Sequence, residues 1–302
     1  MTKRFLCACL AVACLSMMAG CSEEEMNPDV PQVQPEEQTR IPLNLCTRAD
    51  DKVVSTAVKV GLYMQHYQDG NMVNLVSTGN YINNLMMSYS EGKWTATDPI
   101  YWADNTSLSD VYAYAPYQQE VSNCRRMKVG VPTDQSELAQ LAAADLLWGA
   151  SMALSPSNDN ISVSLNHRFA RVNVIVKPSA DFAEGELKAE DLKLYINNVK
   201  CEAVMDLQTS DLTLMGETTS ILTHNNGDLS FTAIVMPQSV GFVNLLRLEW
   251  NDTKCVLQHS TQFEAQRDYT FTITFKKEGA SGLNVGIGGW DIDDQDYGGV
   301  VE

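Results

Sequence analysis

Most of the recognisable vocabulary of catalysis is missing from this 302-residue chain. It has no HExxH pattern, no CxxC pair, no GxSxG elbow, and no Walker or dinucleotide glycine pattern. The four histidines, His66, His167, His224 and His259, form no close pair. His167, beside Arg168 on a predicted strand, reads as structural. These gaps exclude motif-defined zinc, acyl-transfer and nucleotide chemistry, so no catalytic residue, metal ligand or cofactor is nominated. Carboxylate pairs for glycoside cleavage are defined in three dimensions, and nothing in the sequence singles one out. Residues 291–296 lack the glycine and distant glutamate of a calcium loop and read as a solvated acidic tail. Cations are scarce as well, with 21 Lys and Arg against 38 Asp and Glu and a formal charge of −17. Such a chain repels nucleic acid and anionic lipid. After the first twenty residues no segment is apolar enough to span a bilayer.

Those first twenty residues read as an export signal. Lys3 and Arg4 form a positive start, and residues 5–18 are apolar but too short to span a membrane. Met18-Ala19-Gly20-Cys21 has the small residues of a bacterial lipobox before its cysteine, with Met18 where Leu is usual. Cys21 is therefore the expected lipidated N-terminus, and an ordinary signal cut nearby is the alternative. Residues 1–20 hold two cations and no acids, so their loss leaves −17 − 2 = −19. A hold on a membrane then depends on acyl chains, at about 0.8 kcal/mol per buried CH₂. Residues 21–40, acidic and rich in Pro and Gln, carry no apolar period and read as a tether. Cys46, Cys124, Cys201 and Cys255 remain in the body. Export permits disulfides, with three connectivities, and separate thiols are the other reading.

From residue 40 onward the period is two. Ile161, Val163 and Leu165 alternate with Ser162, Ser164 and Asn166. Tyr269, Phe271, Ile273 and Phe275 alternate with threonines. The pattern recurs in Val58, Val60, Leu62 and Met64, in Val172, Val174 and Val176, and in Leu229, Phe231, Ala233 and Val235. Each run puts apolar groups on one face of a pleat, as antiparallel sandwiches require. Asp69-Gly70, Glu91-Gly92 and Asn226-Gly227 supply turns between strands. Residues 136–148, rich in Ala and Leu, suit a short helix or a loop returning to a strand. Turn formers at residues 155–160 separate two strand-rich halves. The expectation is an all-β chain with one β-sandwich at residues 41–158 and another at 159–302, the latter ending in a Gly-rich extension.

Several motifs follow one another along the chain: the lipobox with Ser22-Glu23-Glu24-Glu25, then Thr47-Arg48-Ala49, then Tyr101-Trp102. Tyr112-Ala113-Tyr114-Ala115-Pro116-Tyr117 and Asp145-Leu146-Leu147-Trp148 come next. Leu165-Asn166-His167-Arg168-Phe169-Ala170-Arg171-Val172, Val235-Met236-Pro237-Gln238 and Tyr269-Thr270-Phe271 complete the series, before a Gly-rich tail with Trp290. In this order they resemble the fimbrillin family of lipoproteins, type V pilus subunits of Bacteroides relatives. The resemblance implies two tandem transthyretin-like β-sandwich domains, no enzymatic activity, and a role in adhesion or biofilm formation with other pilus subunits as partners. It also implies a route of assembly. A lipidated precursor reaches the cell surface, an arginine-specific protease removes the first strand, and a neighbour's strand fills the groove. The acidic run after Cys21 resembles the signal that sends such lipoproteins to the outer face of the outer membrane; a solvated linker is the alternative.

The local chemistry suits that route. Ile41, Leu43 and Leu45 alternate with Pro42, Asn44 and Cys46, and Pro42 favours an edge position. Cleavage between Arg48 and Ala49 would remove this strand, whereas cleavage at Arg40 would leave it behind, so Arg48 is the expected site. Cys46 must not be tied to the body by a disulfide if the strand is to leave. Leu283, Val285 and Ile287, followed by Trp290 and Ile292, form the candidate donor strand; the alternative is a last strand of their own domain. Trp94, Tyr101, Trp102, Tyr112, Tyr114 and Tyr117 read as core aromatics. Their competing reading is a stacking platform for glycans on a surface lipoprotein that does not polymerise.

Overall fold

Alternation becomes pleated strand along most of the chain that the computed structural model describes, residues 40–47, 59–68, 71–72, 80–90, 93–277 and 279–290. The described residues from Arg40 to Trp290 belong to one compact unit. The all-β expectation holds. Lys59–Gln68, Asn80–Ser90, Ser109–Ala115 and Leu147–Leu154 are the long members of an antiparallel seven-stranded sheet. Further along, Ala170–Pro178 lies between Ser230–Val235 and Arg267–Lys276 in a five-stranded sheet whose outermost strand is Gly279–Gly289. Leu192–Val199, Gln238–Trp250 and Thr253–Phe263 belong to a four-stranded antiparallel sheet. The Asn226-Gly227 pair closes a hairpin, with Gly227 at φ +94°, a conformation that favours glycine. Within residues 136–148 the chain forms a helix, Leu138–Ala144, and then enters the strand Leu147–Leu154.

The seven-stranded sheet is buried on both faces, not one. Val60, Leu62, Met64, Val111 and Ala113 face one core, while Tyr63, Tyr112 and Tyr114 enter a second, larger core shared with the C-terminal sheets. All seven residues of Ser109–Ala115 are buried. The Tyr114 ring occupies the place a Cβ of Gly61 would take, 2.1 Å from its nearest ring atom, so only glycine fits there. Strand pairing also runs across the turn cluster at residues 155–160. Asn160–Val163 and Asn166–His167 pair with strands of the first half, and Met127–Gly130 pairs with Glu202–Met205. The cluster is thus the connection between Leu147–Leu154 and Asn160–Val163.

Candidate functional site

The early strand is where sequence pattern and geometry meet. Leu43 and Leu45 are 5% and 4% exposed, while Asn44 between them faces solvent. The two leucines share a core with Val60, Leu62, Trp94 and Trp102. Burying each contributes about 1.5–3 kcal/mol. Backbone bonds fix the start of the segment. Leu43 N–H donates to the Ile100 carbonyl (2.9 Å), and Trp102 N–H donates to the Ile41 carbonyl (3.0 Å). These bonds flank an antiparallel bridge between Pro42 and Tyr101, so the nitrogen that proline lacks a proton on is not needed in the ladder. Asn44–Thr47 then runs parallel to Asn160–Val163, Leu45 opposite Ile161. Asn44 Nδ2 donates to the Asn158 carbonyl (3.1 Å).

This two-stranded ladder stands apart from the seven-stranded sheet. Among the described residues, the early strand is the ladder partner of Asn160–Val163. Taking residues 41–47 away would open two leucine-sized pockets and leave backbone groups of residues 160–163 without partners. Such an edge is a template for another strand. Cys46, half-buried, and Cys201, buried, are thiols. Burial pushes the Cys201 thiol up to about 11, and nearby Glu202 acts in the same direction. Arg40 is exposed at the start of the segment, its guanidinium 6.0 Å from the Tyr101 ring centroid. Cys21, Arg48, Ala49 and Ile292 lie outside the described residues.

At the other end, the candidate donor residues are seated on their own sheet. Gly279–Gly289 pairs antiparallel with Arg267–Lys276, with Leu283 opposite Ile273, Val285 opposite Phe271, and Ile287 opposite Tyr269. Val285 is 36% and Ile287 64% exposed, whereas Trp290 is buried. The Trp290 indole stacks on His167, which sits 2.8 Å from an Asp145 carboxylate oxygen. The early strand and the closing strand therefore belong to different sheets and different cores. Sequence reasoning missed both the Asn160–Val163 pairing and the Trp290 stack. Neither has a local signal, because each joins residues far apart in the chain. Of the six clustered aromatics Trp94, Trp102, Tyr112 and Tyr114 are buried, Tyr117 is half-buried and Tyr101 is exposed at 38%, so most of the cluster is core and not a stacking platform. Among the described residues no three His, Cys, Asp or Glu side chains gather as metal ligands would, and no helix is long and apolar enough to cross a membrane.

Comparison with known proteins gives this arrangement a context. A family model described as fimbrillin-like matches residues 47–290. The chain belongs to the fimbrillin-like family. That is a family of fimbrial structural proteins and not of enzymes. A candidate fimbrium tip subunit of Bacteroides ovatus, Fim1C, is 26% identical over 215 residues. The match takes in 60% of this fimbrillin-like chain and 39% of that relative, so the chain spans well under half of its length. The fold is similar to that of a candidate cell adhesion protein from Bacteroides uniformis (TM-score 0.69, 20% identity, 85% of this chain and 100% of that one). It is also similar to the tip fimbrial protein Mfa3 of Porphyromonas gingivalis (TM-score 0.53, 9% identity, 83% of this chain and 100% of that one).

Proposed function

We propose that this chain is a surface fimbrium subunit that assembles by strand exchange and serves adhesion or biofilm formation. In this reading Cys21 carries lipid and holds the precursor on the outer membrane. An arginine-specific protease cuts between Arg48 and Ala49, the alternative site being Arg40, where a cut would leave the early strand in place. The early strand leaves with the lipid, and a strand from another subunit takes its place. The two halves are taken as tandem transthyretin-like sandwiches, with pairing carried across their junction. The observation that carries the reading is the seating of residues 41–47. They present buried leucines on one side and a polar edge on the other, and among the described residues they belong to no larger sheet. A segment so placed can be removed and replaced without cutting through a core strand.

Donation by Leu283, Val285, Ile287, Trp290 and Ile292 requires the closing strand to leave its own sheet first. A second reading follows from its docked state: a terminal subunit that accepts a strand and donates none, a place consistent with likeness to tip proteins. Surface-sheared polymer tests both. Strand exchange expects Ala49 as the first residue of every protomer and ladders that resist brief heating, because exchanged strands dissociate slowly. Protomers that still begin at Cys21 would sink the processing step. A single processed unit per polymer, at one end, would favour the terminal reading.

A further inference from the structure

The strand that flanks the slot and the residues that pin the closing strand lie on one short stretch of chain. Asn160–Val163 pairs with the early strand, and Asn166–His167 follows at once. His167 carries the Trp290 stack, with ring centroids 3.8 Å apart and planes 13° from parallel. Arg171, at the start of the next strand, lies 5.5 Å from the Trp290 ring and donates from Nε to Asp268 (2.9 Å). Asp145, His167, Arg171 and Asp268 are thus the charged or titratable groups set around this indole.

The described side chains of the closing strand from Val285 to Gly289 are exposed. Five of its 11 residues are glycine. A Cβ at Gly282 or Gly286 would find its nearest neighbour at 3.9 Å, and one at Gly288 would find none within 4 Å. Ile287 is mostly exposed. What is buried is Trp290, at 2%. Its backbone N–H donates to the Gln266 carbonyl (2.9 Å), and the Gln266 backbone N–H donates to the Phe169 carbonyl (3.1 Å). Among the described side chains, Trp290 is the buried peg at the end of this strand, whose backbone pairs with Arg267–Lys276.

We infer that residues 160–171 couple the slot to this peg. With the early strand seated, His167 and Arg171 hold Trp290, and the closing strand stays on its own sheet. When the early strand leaves, Asn160–Val163 loses its ladder partner, the stack at His167 loosens, and the closing strand is freed. This rests on the strand-exchange reading and adds regulation to it: a subunit becomes a donor only after it has been processed. Linkage makes the coupling reciprocal, so a pegged tail tightens the early strand by the same factor.

Hydrogen exchange by mass spectrometry on the intact chain tests this, with Leu192–Val199 as an internal reference for global opening. Leu45→Ala should raise exchange across residues 279–289 roughly tenfold or more, a shift typical of lost subglobal protection. Trp290→Ala should raise exchange at residues 43–47 and 160–163 by a similar factor, and Trp290→Phe by less. Phe242→Ala, at a side chain 71% exposed, should change neither segment. Far-side exchange unchanged in Leu45→Ala and in both Trp290 variants would overturn the coupling. If Trp290→Ala opens the reference strand too, Trp290→Phe and Leu45→Ala still decide. Gel ladders are scored separately. Coupling without ladders would sink strand exchange alone, and ladders without coupling would sink the peg.

Discussion

Leu43 and Leu45 concentrate the early strand's hold in two side chains. Leu45→Ala should lower stability by about 2–5 kcal/mol, depending on how far the pocket collapses. Asn44→Ala removes one exposed bond, to the Asn158 carbonyl, and should cost no more than about 1.5 kcal/mol. Urea midpoints at constant slope distinguish them; equal losses would mean that the leucine pockets do not carry the seating. Two buried tyrosines make a second test at this scale. Burial pushes the Tyr114 hydroxyl from 10.0 up to about 12, and burial, with Tyr114 next, pushes Tyr63 higher still. A phenol whose folded pKa is raised contributes stability below its unfolded pKa and loses it as pH rises through the folded one. Thermal midpoints should therefore fall between pH 9 and 12, first as the Cys201 thiol's contribution is lost above 9.0 and then as that of Tyr114 is lost above 10.0. The tyrosinate absorbance due to Tyr63 and Tyr114, read as the difference between wild type and a Tyr63→Phe/Tyr114→Phe variant, should appear only as the chain unfolds. Early ionisation of both rings at pH 10 in the folded protein would contradict this.

The closing strand is an unusual edge. It is 11 residues long, without charge or proline, and among the described residues nothing pairs with its outer side in the five-stranded sheet. Edges of that kind invite association unless guarded. Ile287→Lys should change stability by less than about 0.5 kcal/mol, because the side chain is 64% exposed, yet it should reduce self-association of the precursor by sedimentation. Self-association equal to wild type would remove this edge as a contact. At the same scale, some elements were legible in the sequence and others were not. Alternation in residues 41–46 and 269–275 reported which side chains are buried, because each strand there has one apolar face. Ser109–Ala115 was less transparent. Its Tyr112 and Tyr114 alternate with Val111 and Ala113, so both faces are apolar and the period does not show that each meets a different core. The slot's far wall, Asn160–Val163, was hidden for another reason. A parallel pairing that joins Asn44 to Asn160 is decided by global topology and leaves no trace in either segment's own pattern. Trp290 could be flagged as apolar but not placed, since its partner His167 belongs to another sheet.

Charge governs the molecule as a whole. Residues 1–48 carry a net −2, so cleavage after Arg48 leaves a body of −15, the −17 of the full chain less that share. Two such bodies repel one another, and the repulsion is screened beyond about 8–10 Å at physiological salt. The attractive side of strand exchange is burial and backbone pairing, which salt leaves nearly unchanged. Polymer growth should accordingly be slow in dilute buffer and accelerate several-fold between about 20 and 200 mM NaCl, a shift set by screening. Arg48→Ala should abolish growth at every salt concentration, because the slot stays filled. Restoring the cut with an engineered protease site at the same position should bring back both growth and its salt dependence. The restored site matters because it separates the role of the arginine from that of the cut. Growth that persists in Arg48→Ala would mean that copies join without vacating the slot. Growth indifferent to salt would mean that the joining surfaces do not bring these acidic bodies close together.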